Sequence, residues 1–319
     1  MSNVTFKTIV GLVCALCTGA ALAQNYPAKS IRLISPFPPG GGTDAVARVI
    51  AQTLGEQMGQ QVLVDSRGGA SGMIGVELAT KAPADGYTLV MGNVIPLALL
   101  PAASKVPYDV ARDLLPVSLA ALSDYILALH PSVPAKSISE LIALAKARPG
   151  ELTFASSGNF STPHLAGELL NLAQKLKLVH IPYKGTGPAA IAAMTGETTM
   201  MFGTGPSVVP HLPSGRLRAL ATTGAKRSIP ELPMIGEFVP NYEVTQWYGI
   251  LVPAGTPREI VERLNREIVR CVASAKVVQV LAGLGTQPLT NSPDEFRAFI
   301  RAESDKWQKV IQAANIKAD

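Results

Sequence analysis

From Ser30 to the C-terminal end, short runs rich in β-branched residues alternate with longer stretches of helical periodicity. Repetition of that pair is the grammar of α/β folds and predicts sheets that are largely parallel. The strand candidates are 30–35, 62–64, 88–91, 125–129, 153–155, 179–181, 200–202, 217–221 and 248–252. The helix candidates are 44–58, 73–81, 138–147, 162–174, 188–195, 206–212, 257–273, 275–283 and 293–314. No fixed-period repeat or low-complexity tract interrupts them, which argues against a solenoid or disorder. Helix starts are well marked. Ser137 with Glu140 has capping-box spacing, and Thr256-Pro257 and Ser292-Pro293 each set proline behind a capping residue with an acid in the first turn. No flexible linker separates the halves. The pattern predicts two lobes joined by crossings near Ser123 and near Thr245. Residues 24–123 and 246–319 would form the first lobe, with 124–245 inserted as the second.

Two junctions between strand and helix carry unusual glycine. Pro36 to Asp44 reads P-F-P-P-G-G-G-T-D, between the run Ile31-Arg32-Leu33-Ile34 and a helical stretch. The first N–H groups of a helix lack intrahelical partners, and the macrodipole there favours an anion. Glycine lets a ligand approach the backbone. Gly40 and Gly41 supply bare N–H groups here, and Thr43 adds a hydroxyl. Asp44 would repel an anion, so it caps the helix, holds a loop amide or receives an ammonium group on the ligand. The second junction is Lys184-Gly185-Thr186-Gly187-Pro188-Ala189, after His180-Ile181-Pro182-Tyr183. Capture of a carboxylate suits it, with Lys184 adding charge from the rim. A third corner, Ser156 to His164, offers Ser157, Asn159 and Thr162, the last a candidate N-cap. It reads equally as a solvated, capped turn. Asn93, at the end of a strand candidate, is a fourth candidate.

Familiar catalytic patterns fail on their spacing. Gly185-Thr186-Gly187-Pro188-Ala189-Ala190 formally matches a dinucleotide fingerprint. However, Glu197 follows too early for the ribose, and Pro188 lacks an N–H. The glycines at 40–42 lack the G-K-[ST] of a P-loop, and Gly69-Ala70-Ser71-Gly72-Met73 lacks the last glycine of a nucleophile elbow. His130, His164, His180 and His211 show no ligand spacing, so no metal or other cofactor is expected. A general base, most plausibly His164 near Ser157, stays open beside an ordinary helix histidine. Trp247 and Tyr248 read as core or hinge residues.

The N-terminus reads as an export leader. Lys7 precedes an uncharged apolar stretch from Thr8 to Leu22, and Ala21-Leu22-Ala23 has the small-x-small cleavage pattern. Cleavage after Ala23 would leave Gln24 first, and an uncleaved anchor is the alternative. Cys14 and Cys17 lie inside this leader, so Cys271 is the one thiol of the mature chain and reads as a buried structural residue. The net charge is +5 and charged residues are 16% of the chain, without a basic cluster interleaved with aromatics. Nucleic-acid binding is therefore not expected. A monomer is the expected state.

The residues resemble a Bug-type extracytoplasmic solute receptor, the binding component associated with tripartite tricarboxylate transporters. The resemblance rests on P-F-P-P-G-G-G-T-D, Gly68-Gly69-Ala70-Ser71-Gly72, and Ala82-Pro83-Ala84-Asp85-Gly86-Tyr87-Thr88-Leu89. It continues in His180 to Gly185, in Gly249 to Pro257 and in the tail Trp307-Gln308-Lys309-Val310-Ile311. It implies a two-lobe periplasmic binding protein fold, type II-like, with the ligand in the cleft. It also implies two corners that hold carboxylates through backbone N–H groups, here Pro38 to Asp44 and Lys184 to Ala189. The family pattern often has an acid after the strand at 200–202, where this chain has Gly203-Thr204-Gly205. The expected ligand is a di- or tricarboxylate, an acidic amino acid or an aromatic acid, with Phe37 and Tyr183 against its carbon skeleton. The expected partner is a membrane transporter or sensor. An exported hydrolase or transferase on the same scaffold is the alternative.

Overall fold

A computed structural model describes residues 26–224, 227 and 229–314. The leader and its cleavage point lie outside the described residues. The first elements are β1 Ile31–Ser35, α1 Gly42–Met58, β2 Val62–Ser66, α2 Met73–Thr80, β3 Thr88–Asn93, a π-helical turn Ile95–Leu99, α3 Leu100–Ala103 and α4 Val110–Asp113. Then come β4 Leu114–Leu129, α5 Ile138–Ala147, β5 Thr153–Ser156, α6 Thr162–Gln174, β6 Val179–Pro182, α7 Thr186–Thr195, β7 Met200–Thr204, α8 Gly205–Val208 and β8 Arg218–Thr222. The chain closes with β9 Thr245–Pro253, α9 Arg258–Val272, α10 Ala275–Gly283, β10 Thr286–Pro288 and α11 Pro293–Ala314.

The strands lie in the order β2-β1-β3-β9-β4-β7-β5-β6, with β8 and β10 also paired to β4. In the first lobe β1 pairs in parallel with β2 and β3. In the second, β5 pairs in parallel with β6 and β7. Antiparallel pairing is confined to β4 and β9 and their neighbours. The long β4 pairs with β9 from Leu114 to Asp124, then with β7 and β8 from Tyr125 to Leu129. One strand thus belongs to both sheets, and its change of partner falls between Asp124 and Tyr125.

Burial explains why the helices lie where they do. In α9, Ile260, Leu264, Ile268 and Cys271 recur at helical spacing and are buried against the first sheet and α1. Each fully buried aliphatic side chain contributes about 1.5–3 kcal/mol. Burial pushes the Cys271 thiol up to about 12, so it stays protonated and inert. In the second lobe, Ala189 and Ala193 of α7 pack on Ala155 and Met201. Helix α11 covers the crossing strands. Phe296 and Phe299 meet Trp247 edge-on at 5.7 and 5.5 Å. Glu303 accepts from the indole N–H of Trp247 (3.2 Å) and of Trp307 (3.3 Å).

The strand candidate at 125–129 covers only the C-terminal end of the 16-residue β4. Its first half contains Pro116 and two register shifts, which erase a clean alternation. The turn 95–99, α3, α4 and β10 were likewise not anticipated. Ser292 and Glu295 form the full capping box, each accepting from the other's N–H (3.3 and 2.8 Å). Ser137 caps Glu140 N–H at 3.2 Å, while Glu140 accepts from Lys136 N–H instead of Ser137 N–H. The Thr256 hydroxyl does not cap α9; it donates to the Pro253 carbonyl.

Candidate functional site

Helix α1 opens at the first glycine corner. Its N-cap, Gly41, makes no side-chain cap, and Gly40 is left-handed with φ 84°. Ala45 N–H closes the first helical bond to the Gly41 carbonyl (3.0 Å). The amides of Gly42, Thr43 and Asp44 precede that bond and sit at the positive end of the helix. Helix α7 opens the same way at Gly185, with φ 132°. Ala189 N–H is spent on the Gly185 carbonyl (3.2 Å) and Pro188 has none. Thr186 and Gly187 therefore carry the second corner's N–H groups, and Ala189 does not.

The two corners face each other closely. A methyl group at Gly41 would lie 2.9 Å from Thr186 Oγ1, and one at Gly187 would lie 2.9 Å from the Pro39 carbonyl. Gly185 would place one 2.9 Å from the Pro38 ring, and Gly42 one 2.2 Å from Tyr248 Oη. Only glycine permits this approach, and the lobes are closed on each other. Asn93 fixes the floor: its Nδ2 donates to Thr43 Oγ1 (2.9 Å) and its Oδ1 accepts from Ile95 N–H (2.9 Å). That second bond opens the π-helical turn, a feature frequent at functional sites.

Between the corners is a narrow cavity with a free volume of about 10 Å³, room for one water-sized guest as the lobes sit. Phe37, Gly42, Thr43, Asn93 and Ile95 line it from the first lobe, and Ser157, Thr186 and Thr204 from the second. Tyr125, Gln246 and Tyr248 line it from the crossing strands. No lining side chain carries a charge. The polar atoms Tyr125 Oη, Ser157 Oγ, Gln246 Oε1 and Tyr248 Oη are buried and make no well-formed hydrogen bond. Thr162 Oγ1, beside Tyr125, is in the same condition. Such groups cost about 1–3 kcal/mol each when left without a partner. Their convergence marks a place built for a polar guest. Burial holds both phenols far above their ordinary pKa, so they stay protonated donors.

Phe37, Thr43, Asn93, Ser157 and Thr186 line one cavity. Pro38, Gly40, Gly41, Gly185 and Gly187 form the touching backbones around it. Lys184 lines a neighbouring outer cavity with Phe37 and Ser157. Asp44 is engaged elsewhere: Arg48 binds both its oxygens (2.9 and 3.0 Å) and Ser66 donates to one (3.0 Å). The Asn159 side chain is not part of the lining, but its carbonyl accepts from Ser71 Oγ of the other lobe (3.3 Å). Ser161, not Thr162, caps α6 by accepting from His164 N–H. The Thr162 hydroxyl lies against that of Tyr125 and is not part of the cavity lining. Tyr125, Thr204, Gln246 and Tyr248 line the same cavity and are not among the sequence candidates. Their signal was faint: polar tips on strands that otherwise read as core.

Behind Ser157, His164 and His180 stack at 3.8 Å with an 11° interplanar angle. His164 Nδ1 accepts from Phe160 N–H (3.1 Å), and His180 Nε2 shares a hydrogen bond with Ser156 Oγ (2.5 Å). Burial lowers both rings to about 4. Neutral histidines therefore brace the loop carrying Ser157. His164 is committed to that bracing and lines neither cavity, so the open reading of it as a base gains no support. Among the described residues no cluster of three or more His, Cys, Asp or Glu side chains is arranged for a metal, and no helix is long and apolar enough to cross a membrane.

Known proteins share this architecture. The family model for the tripartite tricarboxylate transporter family receptor matches residues 46–316. Protein BugT of Bordetella pertussis is 37% identical over 327 residues, covering 99% of this chain and 99% of that protein. The structure of R. palustris Rpa4515 with adipate aligns with a TM-score of 0.88 at 36% identity, covering 92% of this chain and 99% of that one. MatC (Rpa3494) from Rhodopseudomonas palustris with bound malate aligns with a TM-score of 0.83 at 28% identity, covering 90% of this chain and 100% of that one. With the family model covering residues 46–316 and BugT matching 99% of the chain, this chain belongs to the Bug-type receptors of the tripartite tricarboxylate transporter family.

Proposed function

We propose that this periplasmic receptor captures a small organic carboxylate by closing its lobes and hands it to a membrane transporter or sensor. One observation carries the reading. Helix-start amides and orphaned hydroxyls from both lobes converge on a single uncharged cavity. A carboxylate accepts hydrogen bonds from all of these and donates none. The amides of Gly42, Thr43, Thr186 and Gly187 would hold it from the two helix starts. The hydroxyls of Tyr125, Ser157 and Tyr248 would complete its shell. Adipate in Rpa4515 and malate in MatC are acids of this class. The ligand stabilises the closed state by binding it better than the open one, and no bond is made or broken.

The lobe limits we propose are 24–123 with 246–319, and 124–245. The change of pairing along β4 after Asp124 and the start of β9 at Thr245 support them. A leader cleaved after Ala23 would deliver the chain to the periplasm as a monomer. The test is a melting-temperature screen of the mature protein against organic acids. A few acids should raise the melting point, and Gly41→Val, which wedges the corners apart, should abolish the rise. Ester hydrolysis with no stabilisation by any acid would replace this reading with that of an exported hydrolase.

A further inference from the structure

Away from the cleft, an open groove with a free volume of about 480 Å³ runs beside α11. Small-molecule sites usually span about 300–1,000 Å³. One wall is the segment 97–116, from the π-helical turn through α4 to the start of β4, and the other is α11. The floor is apolar. Leu97, Leu114 and Ile300 form it, and Tyr108 joins them with its hydroxyl spent on the Pro96 carbonyl (2.7 Å). Val106 and Val110 are only half-buried, so the wall above the floor still presents apolar surface to water.

The rim is cationic. Arg297, Ile300, Arg301 and Ser304 recur at helical spacing, so one face of α11 lays two guanidinium groups beside the floor. Lys105 stands on the facing wall. Arg301 and Lys105 are exposed and make no ion pair among the described residues, while Arg297 pairs with Asp294 of its own helix (2.9 Å). Among the described residues that line the groove, Asp109 is the only acid. Its carboxylate is already committed to the N–H groups of Ala111 and Arg112 (2.9 and 3.0 Å).

An apolar trough with unpaired cations on its rim complements one anionic head on an apolar tail. A dianion would strand its second charge on the floor, and a neutral hydrocarbon would leave the cations unused. We propose that the groove is a second ligand site, outside the cleft, for a linear medium-chain monocarboxylate. Its head meets the cations of the rim, and its tail covers Leu97, Val106 and Ile300. The lining residues fall within 97–116 and 297–304, so the site does not depend on lobe closure or on the receptor reading.

The test is calorimetric titration of the mature protein with hexanoate, octanoate and decanoate, and with 1-octanol as a tail without a charge. Affinity should rise along the series, by up to about fourfold for each methylene that reaches the floor. Octanol should bind more weakly than octanoate. Arg301→Gln combined with Lys105→Gln, both at exposed positions, should keep the ligand-free melting point and weaken octanoate roughly two- to tenfold, the worth of exposed ion pairs. Gly41→Val, which blocks the cleft, should bind octanoate as wild type does. No binding by wild type, or binding indifferent to chain length or to the double substitution, overturns the proposal. Loss of octanoate binding in Gly41→Val also overturns it, because the chain would then sit in the cleft and the receptor reading would stand. A dimer in sedimentation that the double substitution dissociates, with no octanoate bound, overturns it in favour of a contact between copies.

Discussion

Tyr248 carries two duties on one side chain. Its ring is fully buried among core residues of the first lobe, and its hydroxyl points at Gly42 across the cavity. Tyr248→Phe keeps the ring and deletes only the hydroxyl, which lies against that of Thr204. It should leave the unliganded melting point within a few degrees of wild type and weaken acid binding by about 1 kcal/mol, roughly fivefold. Unchanged affinity in a titration would remove Tyr248 from the ligand shell. Few of these roles are legible one residue at a time. Thr43 and Thr186 stand out because glycine surrounds them. Tyr125 and Gln246 do not, because a polar tip on an apolar strand reads as ordinary core until its partners are known.

The loop between β5 and α6 shows what an element adds. Its cavity-lining hydroxyl, Ser157, sits between anchors held by His180 and His164. Protonating His164 Nδ1 would set it against the Phe160 N–H it now accepts. Phe154 packs on both rings, and Glu168 is the carboxylate facing His164, at 4.0 Å. Burial outweighs it and lowers His164 from 6.5 to about 4, as it does His180. Between those values the unfolded chain binds more protons than the folded one. The histidine contribution to stability is therefore complete above pH 6.5 and lost as pH falls toward 4. Melting points measured across that window should drop, with a shallower slope in His164→Asn. Parallel slopes in the two proteins would show that other groups govern the acid limb.

Across the whole molecule, α11 acts on the crossing strands. Glu303 accepts from both Trp247 on β9 and Trp307 on its own helix, and these are the chain's two tryptophans. Glu303→Ala strands two buried indole N–H groups and should cost about 1–3 kcal/mol. Glu303→Gln keeps an acceptor and should recover part of that loss. Equal melting points for wild type and Glu303→Ala would show that the indoles find other partners. Trp247 adjoins Gln246 and Tyr248 of the cavity, so tryptophan emission should shift on lobe closure.

Local chemistry determined the order of strands and helices, the caps at Ser137 and Ser292, and the two glycine corners. Each depends on neighbours within a few residues, and the relevant forces act at that range. The tertiary structure decided which polar groups share a cavity. Tyr125 and Tyr248 meet because β4 leaves one sheet for the other beside β9, a pairing between segments far apart in the chain. The first half of β4 escaped notice because its register shifts blur the alternation that marks a strand. The orphaned hydroxyls escaped because a missing hydrogen-bond partner is a property of packing, and no single stretch of sequence contains it.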